Sequence, residues 1–260
     1  MVIRKDFERA KQFILDEAAS NSGAYILCLY PTIGTAYGLY DNNTLDKICG
    51  VYFLDTELLL SIRNSDNTPK TQWFLASREN GCMANLIEIG PWCRHFATGH
   101  DLKHFIRMDT QYIYENADME PFLDIAISCL SQEDALNTIR SMVSARALTH
   151  RTYRCAFESY YYILASLAAL KAGHIISDPF ELTEVSDKTE IYEILLQNVS
   201  DDNTMLSDRE RYSIEEEQDY NIKLAKEIVE SGNCKLPRYR PETYIRLLDA
   251  ELLRLRRALL

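Results

Sequence analysis

The sequence predicts an α+β protein: a small mixed sheet with flanking helices, followed by an all-helical C-terminal domain. Three observations carry that expectation. Short apolar and aromatic runs, bounded by Gly, Pro, Asn and Asp clusters, occupy residues 24–89. After Gly90-Pro91 the apolar period becomes that of a helix and stays so to the C-terminus. The composition is that of an ordinary globular chain: 260 residues, 47% hydrophobic and 26% charged, with only 9 Gly and 7 Pro, which excludes disordered, collagen-like and low-complexity classes.

Each element has its own signal. Phe7, Ala10, Phe13, Ile14 and Ala18 recur at helical spacing and predict an amphipathic helix over 5–19. The runs 24–30, 48–54, 71–76 and 83–89 read as strands, punctuated by turn-forming clusters at 31–34, 41–44 and 64–69. Helices are expected over 91–107, 110–117, 120–129, 131–148, 152–173, 188–198, 207–231 and 241–258. Ser131 with Asp134 three residues on is a capping pair, and Gly173 ends a helix. The change of period divides the chain into an α/β domain, 1–117, and a helical domain, 118–260, with no visible linker between them.

Compartment and charge narrow the classes. The apolar stretches 24–29 and 163–170 fall far short of the ~20 residues of a membrane span. Residues 1–9 mix both charge signs without an apolar leader, so a cytoplasmic location is expected. Seven widely spread cysteines fit reduced thiols better than a disulfide framework. The net charge of −11 is uneven: 201–233 holds ten acids and four bases, 235–260 seven bases and three acids. A basic stretch also runs through Arg140, Arg146, Arg151 and Arg154. This disfavours a long nucleic-acid track, while a nucleoside triphosphate, a short RNA end or a protein partner stays compatible.

The most informative stretch runs from the strand 24–30 through Pro31-Thr32-Ile33 into Gly34-Thr35-Ala36-Tyr37-Gly38-Leu39, then Asp46 and a strand containing Gly50-Val51-Tyr52-Phe53. A glycine and a small hydroxyl residue after a strand let backbone N–H groups approach a phosphate. The order of parts resembles the DNA polymerase β-like nucleotidyltransferases, and within them a predicted nucleotidyltransferase family of bacterial RNA-repair contexts and phages. Gly34-Thr35 stands for the family's Gly-Ser, Tyr37-Gly38-Leu39 for its aromatic-Gly-Leu element, and Glu88 for its third carboxylate. Tyr160 to Leu164, Asp178 to Leu182 and Leu236-Pro237 extend the similarity weakly along the chain. The resemblance implies a nucleotidyltransferase-like sheet, a nucleotide held by Gly34, Thr35 and Tyr37, and Mg²⁺ or Mn²⁺ held by Asp46 and Glu88 as the catalytic carboxylates.

Departures from the pattern decide what activity is expected. Two-metal nucleotidyl transfer needs two carboxylates two apart on one strand plus a third on a neighbour. Counting from Gly34 puts Asp46 and Ile48 in the pair; counting back from Gly50 puts Leu45 and Lys47 there; a one-residue slip puts Thr44 and Asp46 there. No register yields Asp-x-Asp, although a loop acid such as Asp41 is available as a substitute. Ser159 and Ala165 stand where the family carries Lys and Arg; on one continuous helix Arg151 and Arg154 would offer a phosphate-binding replacement. The leading expectation is therefore a nucleotide- or partner-binding pseudoenzyme with an incomplete metal site and no cofactor.

Two alternatives stay open. One is an active enzyme moving a nucleotide from NTP to an RNA end, protein or small molecule. The other is a zinc-dependent hydrolase using His100 and His104, which stand at the i, i+4 spacing of two ligands on one helix face but lack a characteristically spaced third. Tyr37 and Tyr40 beside the Gly34 turn are candidates for base stacking.

Overall fold

The computed structural model describes residues 7–20, 24–39, 45–55, 71–99, 102–109, 112–149, 151–200 and 204–258. Helix α1 (Glu8–Ser20) leads into β1 (Ala24–Pro31), a one-turn helix α2 (Ile33–Ala36), and then β2 (Asp46–Leu54), β3 (Gln72–Ser77) and β4 (Cys82–Glu88). With a two-residue strand β5 (Tyr114–Glu115), these form one mixed sheet in the order β3-β4-β2-β1-β5. Strand β2 runs antiparallel to β1 and parallel to β4; β3 and β5 are the antiparallel edges.

Alternation along the strands divides the residues between two layers. Ile48, Tyr52, Ala84 and Leu86 pack under Ala10, Ile14 and Ala18 of α1. Cys49, Val51 and Phe53 face the other way, into a larger cluster that runs without a break into the helical half through Phe157, Tyr161 and Leu167. Gly50 sits where a Cβ would lie 2.6 Å from the Cys28 carbonyl oxygen and from Leu29 Cδ2. Its place in the chain is therefore set by close strand packing beside the irregularity in β1 between Ile26 and Cys28.

The helical half comprises α3 (Ile89–Thr98), α4 (Lys103–Met108), α5 (Glu120–Ser128), α6 (Gln132–Thr149), α7 (Tyr153–Ala172), α8 (Glu190–Asn198), α9 (Asp208–Glu230) and α10 (Glu242–Ala258), with a 3-10 turn at Glu181–Glu184. Helix α7 is buried along nearly its whole length and packs against α6, α8 and α9, while α10 returns to pack on α3 and α5. Ser131 donates from its N–H and its hydroxyl to Asp134, as the capping pair predicts, and Gly173 closes α7 with φ +83°. Among the described residues no helix is long and apolar enough to cross a membrane, and all seven cysteines are free.

Three expectations are corrected. Of the helix expected over 110–117, the described part, 112–117, is not helical: Tyr114 and Glu115 pair with β1, and this β-prone segment completes the sheet edge. The helix expected over 91–107 starts earlier, at Ile89, and ends at Thr98; Gly99 follows at φ +44° with the Arg240 guanidinium in the space a Cβ would need. The chain also breaks between α6 and α7, so Arg140, Arg151 and Arg154 do not share one helix.

Candidate functional site

Thr35 fixes the turn after β1. Its buried hydroxyl accepts from the Lys47 N–H at 3.1 Å and from the Thr32 hydroxyl at 3.3 Å, while the Thr32 N–H donates to the Lys47 carbonyl at 2.9 Å. The Gly34-Thr35 turn is thereby tied to the start of β2 at Lys47. A cavity of about 190 Å³ opens there, bounded by Thr32, Gly34, Lys47, Arg107 and, from α7, Glu158 and Tyr161. Arg107 also borders a neighbouring cleft of about 390 Å³ above the sheet, walled by Tyr30, Cys49, Asn85, Gln72, His95 and His104. That volume lies within the range of small-molecule sites, ~300–1,000 Å³.

Parity along the strands decides which side chains reach the cleft. Lys47 on β2 borders the cavity, while Cys49 and its register partner Asn85 on β4 border the cleft. Asp46 has the parity of Ile48 and Tyr52, which belong to the α1 side, and its register partner is Cys82. The Asp46 carboxylate, at the start of the strand that follows the turn, is therefore on the opposite face of that strand from the cleft.

Glu88 lies at the other end of β4, beside Tyr52. Six residues of strand separate it from the level of Asp46, roughly 20 Å at ~3.3 Å per residue. Its carboxylate is occupied: one oxygen accepts from the Gly90 N–H at 2.7 Å and caps α3, and the other is ion-paired with Arg256. Arg256 also donates to the Leu54 carbonyl at 2.6 Å and lies 4.6 Å above the Phe53 ring. The structure does not bring Asp46 and Glu88 together, and the strand positions facing the cavity and the cleft carry an amine, a thiol and a carboxamide, with Glu158 of α7 the nearby carboxylate. One carboxylate beside Lys47 and Arg107 does not make the set of oxygen ligands that a pair of hard divalent cations takes.

The remaining expected residues fall in several places. Tyr37 packs edge-on against Phe180, with ring centroids 6.5 Å apart, and its hydroxyl lies beside Ser177; burial raises its pKa, and the Ser177 hydrogen bond opposes that rise. Tyr40 and Asp41 are outside the described residues. Arg151 is exposed, and its carbonyl accepts from the Leu206 N–H at 2.9 Å. Arg154 is buried at the start of α7, and neither arginine borders the cleft. His104 stacks on His95, with centroids 4.2 Å apart and planes at 18°, while His100 lies outside the described residues. Among the described residues no group of three His, Cys, Asp or Glu is placed to hold a metal.

Sequence reasoning missed Arg107, Asn85 and Gln72 as cleft residues. The signal for Arg107 was its place one turn after His104, on the same helix face. Its charge reaches the cleft floor, where it partly offsets the burial that raises the Cys49 thiol.

No family model and no curated protein sequence matches the chain. Among solved structures, a nucleotidyltransferase-like protein from Exiguobacterium sibiricum 255-15 is similar at 11% identity and a TM-score of 0.33, over 87% of this chain and 77% of that one.

Proposed function

We propose that the chain binds a phosphate-bearing nucleotide in the cleft beside Gly34-Thr35 and does not transfer it. One observation carries the reading: on the cleft side of the strand that follows the turn stand Lys47, at the cavity, and Cys49, at the cleft, with Arg107 bordering both and Glu158 of α7 at the cavity, in place of a carboxylate pair on the strand. Cations attract phosphate oxygens and repel the metal ions that transfer chemistry needs. The sequence resemblance to polymerase β-like nucleotidyltransferases supports a nucleotide as the phosphate carrier.

The test pairs binding with turnover. Each NTP is added with Mg²⁺, with Mn²⁺ and with EDTA while thermal stability is followed, and α-labelled NTP is incubated with RNA. Expected are stabilisation that persists in EDTA, its loss in Lys47→Ala/Arg107→Ala, and no label transfer. Label transfer abolished by Asp46→Ala overturns the reading in favour of an active nucleotidyltransferase.

A further inference from the structure

We infer that the open part of the sheet beside the cleft is a platform for a short single-stranded nucleic acid, with a base stacked on Phe74 and the backbone turned toward Lys47 and Arg107. Strand β3 is a sheet edge, and its outward positions Gln72, Phe74 and Ala76 lie on the cleft side, opposite Trp73 and Leu75, which pack toward α1. Phe74 is 65% exposed, and Met83, one strand in and on the same side, is 44% exposed. An aromatic ring left this open costs solvation and contributes little to the core. Elsewhere on this face Cys49, Val51 and Phe53 are buried.

The surroundings select the occupant. Phe74 is the register partner of Asn85, which in turn pairs with Cys49 in the cleft floor. Two strand spacings, roughly 10 Å, therefore separate the ring from Cys49, and one separates it from Asn85 in the cleft wall. Between them Gln72 donates to Asn85 at 2.9 Å, which leaves the Asn85 amino group and the Gln72 carbonyl to meet the edge of a base. Beyond lie Lys47 and Arg107, with Glu158 as the opposing charge on the α7 side. A flat aromatic, a carboxamide pair and cations on one face of the sheet, at successive levels of the register, match the base, the base edge and the phosphate of a single strand. A duplex hides its base faces and has no use for the ring. The acidic surface keeps the footprint short, a strand end and not a track. The phosphate half of this proposal rests on the cleft reading above; the stacking half does not.

Fluorescence anisotropy at low salt with fluorescein-labelled oligouridylate, oligothymidylate and a duplex tests it, using the full chain. Single strands are expected to bind more tightly than duplex and to weaken as salt rises. Phe74→Ala is expected to lose about tenfold in affinity or more, Phe74→Tyr to keep it, and neither to alter the thermal shift given by UTP. Comparing the two oligonucleotides distinguishes RNA from DNA as the source of the strand. Wild-type protein that binds neither, binds duplex equally well, or is unaffected by Phe74→Ala overturns the platform. So does a wild-type dimer in sedimentation that Phe74→Ala converts to monomer without changing oligonucleotide affinity. Oligonucleotide binding that needs Phe74 but not Lys47 or Arg107, with no UTP shift, supports the platform and overturns only the cleft reading.

Discussion

Arg256→Ala separates a structural role for Glu88 from a metal-binding one. The Glu88 side chain is 2% exposed and that of Arg256 15%, so removing the guanidinium leaves a carboxylate out of water, held by the Gly90 N–H. Breaking a buried pair in this way costs ~3–5 kcal/mol, and the lost bond to Leu54 and the lost stacking on Phe53 act in the same direction. At ~2–4 °C per kcal/mol for a chain of this size, the melting temperature falls by about 10 °C. The paired substitution Glu88→Gln/Arg256→Met, which leaves no buried charge unmatched, is expected to be more stable than Arg256→Ala. Urea and thermal unfolding with and without Mn²⁺ measure both. Wild-type stability in Arg256→Ala, or a Mn²⁺ stabilisation that Glu88→Gln removes, refutes the assignment.

Gly50→Ala drives a methyl into the Cys28 carbonyl and into Leu29 and Leu86; denaturant titration is expected to show a loss of ~1–3 kcal/mol, as for overpacked cores. Glu217, on α9, accepts from the Ile191 and Tyr192 N–H groups at the start of α8 and from the Tyr160 hydroxyl at 2.8 Å; Glu217→Gln is expected to cost ~1.5–3 kcal/mol in the same assay. Burial pushes the Cys129 thiol up to about 11 against the opposing pull of Arg240, and it raises Cys28, Cys49, Cys82 and Cys93 as well. Burial raises the Cys234 thiol too, but Cys155 and Cys234 are partly exposed, so thiol labelling of native protein at about pH 8 is expected at these two, the five buried thiols reacting only on unfolding.

The strands at 24–31, 46–54, 72–77 and 82–88 were legible because their runs are long enough to show apolar content and bounding turns. Strand β5 was not, since two residues leave no alternation to read. Nor was the break at Gly99: what occupies that space is Arg240, from a distant part of the chain, and no local pattern records it. At the site the limit was register. Counting from Gly34 singles out Asp46, but the hydrogen bonds to Thr32 and Thr35 fall on Lys47, and a shift of one residue moves a side chain to the other face of a strand. Strand pairing decided which face each residue serves.

Two arginines of the basic C-terminal segment act on α3. Arg256 pairs with Glu88, the residue that caps the start of that helix. Arg240 donates to the Ala97 carbonyl in its last turn at 3.1 Å, to the Cys129 carbonyl at 3.0 Å, and pairs with the buried Asp134 at 2.5 Å. Arg246 and Arg254 are bound within α10 to Glu242 and Glu251. Two arginines from the end of the chain thus hold both ends of the helix that presents Pro91 and His95 to the cleft. Weakening either pin is expected to loosen the cleft wall from a distance, so a fall in nucleotide affinity in Arg240→Ala would reflect positioning of α3 and not a lost phosphate contact. Salt dependence separates the two: removing a phosphate contact flattens the slope of affinity against salt, whereas releasing a pinned helix lowers affinity with the slope preserved.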